Sequence, residues 1–200
     1  MRKITEEVEA LVSRAGKDPI WGYAHCERVY ALARRLAKAE DLGYDDEILR
    51  LASLLHDIGL YRAYNLREGR DHVQRSASVA RRLLRDRNFP PESIQIVLDA
   101  IEHHPPGYPS GRSVEAALLK DAVALDYLGS IGLARVFAMV GLEEDVPDLE
   151  AAFRHAENLR YQLPPLLIFR ASRDIARERC LEMDKFFSSL RQSMPEQGFT

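Results

Sequence analysis

His56 and Asp57 stand side by side in the stretch Leu54-Leu55-His56-Asp57-Ile58-Gly59, at the end of an apolar run. Imidazole and carboxylate are both metal-ligating groups. An ionised Asp at the end of a buried run is costly unless something pairs with it; a divalent cation is one such partner, and a His-Asp hydrogen bond or a satisfied helix end is another. Further donors separate these readings. His25 lies on the face of an earlier helix that also carries Val29, Leu32, Ala33 and Leu36, and Asp121 sits inside an apolar run of a later one. Two imidazoles and two carboxylates without a thiolate suit manganese, iron, cobalt, nickel or zinc better than calcium. Such a site leaves positions open for water and substrate. A metal there can bring the pKa of bound water toward ~7 and withdraw charge from a phosphoryl oxygen.

The elements that must carry these donors are helical. Apolar residues recur at three- and four-residue steps, and no run alternates in the manner of a strand, so the fold class is all-α. A first helix is expected from Ile4 to Arg14 and a second from about Pro19 to Ala39, started by Asp18. Asp45 and Asp46 cap a third, Glu47 to about Ile58, whose Ile48, Leu51, Ala52, Leu54 and Leu55 are apolar nearly all round. That helix should be central. Gly59 ends it, which leaves His56 and Asp57 in the last turn, where neighbouring side chains can be presented to one point; within a regular helix they diverge by about 100°.

Tyr61 to Arg70 reads as a loop, and Asp71 caps a helix to about Arg87. Pro90-Pro91-Glu92 starts the next, which stops at His103-His104 before Pro105-Pro106. A helix from Glu115 to Leu128 holds Asp121 and Asp126, Gly129 and Gly132 break it, and Leu133 to Val140 resumes. Leu149 to Leu163 and Pro165 to about Gln192 close the chain, ahead of a polar tail after Pro195. Gly129-x-x-Gly132 is a helix break and not a phosphate loop, because the lysine and hydroxyl residue of that motif are missing.

Composition narrows the function classes. The 200 residues, with 46% hydrophobic and 30% charged, describe one ordinary globular domain. Lys and Arg total 28 against 31 Asp and Glu, a net charge of −3 with no basic stripe, which argues against a nucleic-acid polymer as partner. No uncharged segment reaches membrane-spanning length and the N-terminus turns acidic early, so a cytoplasmic location without membrane association is expected. Cys26 and Cys180 are far apart and read as buried small residues.

Taken together, His25, His56-Asp57 and Asp121, at spacings of 31 and 64 residues, resemble the H…HD…D signature of the HD-domain superfamily of metal-dependent phosphohydrolases. His25-x-x-Arg28-Val29 and the Leu54–Gly59 stretch match as well. Lys120 to Phe137, KDAVALDYLGSIGLARVF, is similar to small single-domain bacterial members, in which Asp-Ala-Asp-x-Leu-(Asp/Glu) precedes Leu-Gly-x-Ile-Gly-x-x-Arg. The resemblance covers about residues 18–141. It implies an HD-domain-like orthogonal helical bundle over residues 1–200, with C-terminal helices at 148–194. It further implies one divalent ion, rather than two, held by His25, His56, Asp57 and Asp121, and a small phosphorylated substrate, a nucleotide above all.

In that reading a metal-activated water attacks phosphorus, Asp57 takes a proton from it, and His72, His103 or His104 acts as acid or phosphate donor. Lys120 and Arg75 are candidate phosphate contacts, although such charges also serve as solvated helix faces. Val123 stands where the relatives carry the second Asp of Asp-Ala-Asp, so Asp121 or a water must serve as fourth ligand, with Asp126 as fallback. His103 to Pro109, HHPPGYP, faintly resembles the HD-GYP phosphodiesterase signature, with a shortened spacing and Pro105 in place of the Glu. A diesterase is therefore an alternative, and a non-catalytic ligand-binding module with a decayed site is another. A homodimer through the last helix is one assembly the sequence permits.

Overall fold

The computed structural model describes residues 2–64 and 71–193, and these are helical, with no strand among them. The expected loop at 65–70 and the tail after Pro195 lie outside the described residues. The chain divides into two compact units, residues 1–123 and 124–200, the division falling within one helix.

The first unit is organised around one buried helix. α1 (Arg2–Ala15), α2 (Tyr23–Ala39), α3 (Asp46–Leu55), α4 (His72–Arg85) and α5 (Pro91–Glu102) are followed by α6 (Val114–Asp126). Every residue of α3 from Ile48 to Leu55 is buried, and the helix packs against α1, α2, α4 and α5. Asp45 caps it, its carboxylate accepting the Glu47 and Ile48 amides. Arg50, the one charged residue so enclosed, contacts Glu9 at 2.9 Å and Glu27 at 2.5 Å and lies over the Tyr30 ring. A buried guanidinium is tolerable only with such partners.

Three element boundaries differ from the pattern-based expectation, each for a local reason. α2 begins at Tyr23 rather than Pro19, because the Asp18 carboxylate accepts the Ile20 and Trp21 amides and holds a turn there. α3 ends at Leu55, three residues early: His56-Asp57 form a turn that runs into a 3-10 helix at Ile58–Leu60. α7 (Gly129–Ala138) begins at the first glycine, at a positive φ of 74° that glycine adopts freely.

In the second unit α7 packs on α8 (Leu149–Gln162) and on the long α9 (Arg170–Ser193). Arg135 is buried and donates to the Asp126 carboxylate at 2.9 Å, while its guanidinium covers the Tyr127 ring. Gly132 has no room for a side chain, since a Cβ there would lie 2.1 Å from the Tyr127 carbonyl oxygen. Asp126, the fallback ligand, is thus the partner of a buried arginine. No described helix is long and apolar enough to cross a membrane.

Candidate metal centre

The site is built where α3 gives way to the 3-10 helix. His56 still has helical backbone angles (φ −61°, ψ −34°), whereas Asp57 occupies the bridge region (φ −110°, ψ 10°). The change swings the two adjacent side chains toward one point. His25, near the start of α2, meets them there. Its Nε2 lies 3.1 Å from His56 Nε2 and 3.6 Å from Asp57 Oδ2, and His56 Nε2 lies 3.4 Å from the same oxygen. All three side chains are buried.

Donor chemistry of this triangle fits a cation. His56 Nδ1 donates to the Ser53 carbonyl at 2.9 Å, which in the neutral ring leaves Nε2 as a lone-pair nitrogen. That lone pair faces His25 Nε2 at a separation close to the roughly 3 Å between neighbouring nitrogens that ligate one ion at ~2.1 Å. Burial raises the Asp57 carboxyl pKa, but the neighbouring imidazoles of His56, His104 and His25 outweigh it and hold the carboxyl well below its usual range. Asp57 is an anion in this pocket.

A second group shares that anion. Asp57, His72 and His104 each offer a ligand atom within 4.8 Å of the others. His104 follows the end of α5, is buried, and donates from Nδ1 to the Ile101 carbonyl at 2.7 Å; its Nε2 lies 3.6 Å from Asp57 Oδ1. Burial, reinforced by His56, pulls the His104 pKa down to about 3, so its imidazole is neutral. His72, the first residue of α4, is the accessible member, its side chain 37% exposed.

Gly59 is what lets α4 approach. A Cβ there would come within 2.7 Å of both the His72 carbonyl oxygen and the Ser76 amide, so only glycine allows α4 to rest on the 3-10 helix. The Gly59 amide donates to Ser76 Oγ at 3.0 Å and its carbonyl accepts from Arg75 Nε at 3.2 Å. Arg75 is therefore placed against the turn that carries Asp57.

The remaining candidates fall outside the two donor groups. His103 donates to the Asp99 carbonyl at 2.8 Å and lines an open polar cavity of about 580 Å³ with Gln95, Asp99, Glu102 and Arg112; it belongs to neither donor group. Asp121 is buried on α6 but also belongs to neither group. Lys120 is buried and donates to the Pro105 carbonyl at 3.3 Å and to the Tyr108 carbonyl. Burial pulls its pKa below the usual lysine range, with Asp121 opposing. Asp71, read from the sequence only as a cap, touches the site directly: Oδ1 accepts the Val73 amide and lies 3.1 Å from His72 Nδ1.

The family model of the HD domain matches residues 22–128, more than half of the chain and all of both donor groups. Among solved structures, Bacillus subtilis YpgQ in complex with ADP is similar over 98% of this chain and 97% of its own, at 23% identity and a TM-score of 0.73. An HD-superfamily hydrolase from Bacillus thuringiensis covers 96% of this chain and 97% of its own, at 24% identity and a TM-score of 0.68. A predicted HD superfamily hydrolase from an uncultured Thermotogales bacterium gives 96%, 92%, 23% and 0.64 for the same quantities. No curated protein sequence matches significantly. Since the HD-domain model spans more than half of the sequence, the chain belongs to the HD-domain family.

Proposed function

We propose that the chain is a metal-dependent phosphohydrolase acting on a phosphate ester or anhydride of a small substrate, a nucleotide being the first class to test. The observation that carries this reading is the buried triangle of His25 Nε2, His56 Nε2 and Asp57 Oδ2, with edges of 3.1, 3.4 and 3.6 Å. The nucleotide is suggested by the ADP bound to the YpgQ structure. His25, His56 and Asp57 would hold the ion, and Asp121, buried on α6, would complete its shell directly or through a water. Manganese is the first ion to try, with iron, cobalt, nickel and zinc next. When bound, a divalent ion supplies Lewis acidity to a water and to a phosphoryl oxygen.

The chain's own residues divide the remaining work. Asp57 keeps one oxygen for the ion and turns Oδ1 toward His104, where it can accept the proton of the attacking water. His104, neutral and buried, suits acceptor or ligand duty and not donation of a proton. His72, half-exposed in the same group, is the residue placed to protonate the leaving oxygen. Arg75, positioned by Gly59, faces the phosphate, and Lys120 supports the site by holding the loop after His104.

A second reading, a diesterase of the HD-GYP-like kind with two ions, is favoured by one observation. The Asp57 carboxylate is shared by both donor groups, as a bridging ligand would be. One experiment addresses both. The purified protein and a His56→Ala/Asp57→Ala double variant are compared for metal content and for manganese-dependent hydrolysis of monoester, triphosphate and cyclic or linear diester substrates. About one ion per chain and monoester or anhydride hydrolysis, both lost in the variant, is the expected result. About two ions and diester hydrolysis favour the second reading, and equal low metal without turnover returns the chain to a ligand-binding module.

A further inference from the structure

Lys120 sits on α6 with its ammonium buried against two backbone carbonyls of one tight turn. The Tyr108 amide closes that turn on the Pro105 carbonyl at 3.0 Å, and Lys120 donates to the carbonyls of the same two residues. Three of the turn's polar contacts are thereby internal to one clip. The turn follows His104 directly, so the clip fixes the chain leaving the site.

From the turn a side chain reaches back. Tyr108 Oη donates to Asp71 Oδ2 at 2.9 Å, although its ring is largely exposed. The other Asp71 oxygen does two things: it caps α4 through the Val73 amide at 3.0 Å and lies 3.1 Å from His72 Nδ1. A carboxylate held by a hydroxyl on one oxygen and a helix N-terminus on the other has little freedom to rotate. Its negative charge beside Nδ1 favours the ring proton there, leaving Nε2 as the lone-pair nitrogen.

We propose that Lys120 and Tyr108 are positioning residues for His72, acting through the 105–108 turn and the Asp71 carboxylate to set the orientation and tautomer of its imidazole. The proposal rests on the phosphohydrolase reading only for what His72 does afterwards. A tyrosine exposed beside a cavity looks like a substrate contact, and a lysine near a metal centre looks like a phosphate contact. Here both are committed to backbone and carboxylate partners within the fold.

The test uses the full-length, metal-free protein with labelled histidines, observed by long-range proton–nitrogen spectra near pH 8, well above the ordinary histidine pKa of about 6.5. In the parent, His72 is expected as the Nδ1–H tautomer. Tyr108→Phe, which removes only the hydroxyl, and Lys120→Met are expected to shift it to a mixture with Nε2–H, while Lys120→Arg restores the parental signal. His104, locked by the Ile101 carbonyl, reports that each variant is folded. In the metal-loaded protein Tyr108→Phe should lower kcat about tenfold with KM little changed, the pattern of an orienting partner. An unchanged His72 tautomer in Tyr108→Phe and Lys120→Met overturns the proposal. A parent that hydrolyses nothing, with the tautomer shift still present in the two variants, refutes the phosphohydrolase reading alone.

Discussion

The Nε2 atoms of His25 and His56 face each other across 3.1 Å, and one Asp57 oxygen sits within 3.6 Å of both. His56 Nδ1 donates to the Ser53 carbonyl, so a neutral His56 turns its Nε2 lone pair to this face of the pocket, where a His25 ring proton or a cation can meet it. Bound to the folded state only, a divalent ion at about one hundred times its dissociation constant should stabilise the protein by about 2.7 kcal/mol. A thermal melt with and without manganese measures this. His25→Ala should abolish the increment, and an undiminished increment in that variant would remove the triangle as the binding site.

Asp121 is buried on α6 and belongs to neither donor group. Asp121→Asn is expected to weaken manganese binding by about tenfold, the usual effect of an outer partner, whereas Asp57→Asn should eliminate it. Titration calorimetry distinguishes the two. Equal losses would make Asp121 a direct ligand of full standing.

His104 predicts a pH dependence in the metal-free protein. Its folded pKa of about 3 lies below the ordinary value of 6.5, so at intermediate pH the unfolded chain binds the extra proton. Stability is therefore retained above pH ~6.5 and lost as the pH falls toward 3, by up to about 1.4 kcal/mol per pH unit from this group. Urea unfolding at a series of pH values reads the slope. His104→Gln should flatten it, and an identical slope in that variant would show that other groups carry the acid sensitivity.

Gly59→Ala tests the contact between α4 and the 3-10 helix without touching a donor atom. The added methyl meets backbone at 2.7 Å from two directions, so α4 must move. A destabilisation of about 1–3 kcal/mol is expected, with loss of hydrolysis exceeding what the stability change explains. Full activity would mean that His72 and Asp57 need not be held in this register.

Arg135 and Asp126 form a buried pair at 2.9 Å. Asp126→Ala leaves a guanidinium without its carboxylate and should cost about 3–5 kcal/mol in stability. Metal content should be unchanged in the folded fraction, which elemental analysis reports; a loss of metal would return Asp126 to the list of ligands.

The convergence of His25, His56 and Asp57 was legible in part, because periodicity turns His25 inward and the apolar run ending at Gly59 leaves His56 and Asp57 at one buried helix end. What spacing cannot reveal is which of two neighbouring histidines enters the pocket. His103 and His104 are equivalent in the sequence, and the backbone at the end of α5 turns His104 inward and His103 toward an outer cavity. The roles of Asp71 and Tyr108 were hidden for another reason. Their hydrogen bond spans 37 residues and depends on the course of a loop, which no local pattern encodes. Gly59 was recognised as a helix stop, yet the physical demand on it is the close approach of α4. Lys120 was legible as a charge near the site but not as one already engaged with backbone carbonyls.

α3 is buried on every side and joins a fixed cap at Asp45 to the His56-Asp57 turn. One residue inserted between them would rotate the pair by about 100° and advance it by about 1.5 Å, carrying both donors away from His25. Surface loops generally absorb length changes, but a helix enclosed like α3 does not, so its residue count acts as a ruler for the donor cluster. Related chains that conserve the chemistry should exchange only buried residues of similar volume along α3 while never gaining or losing a position.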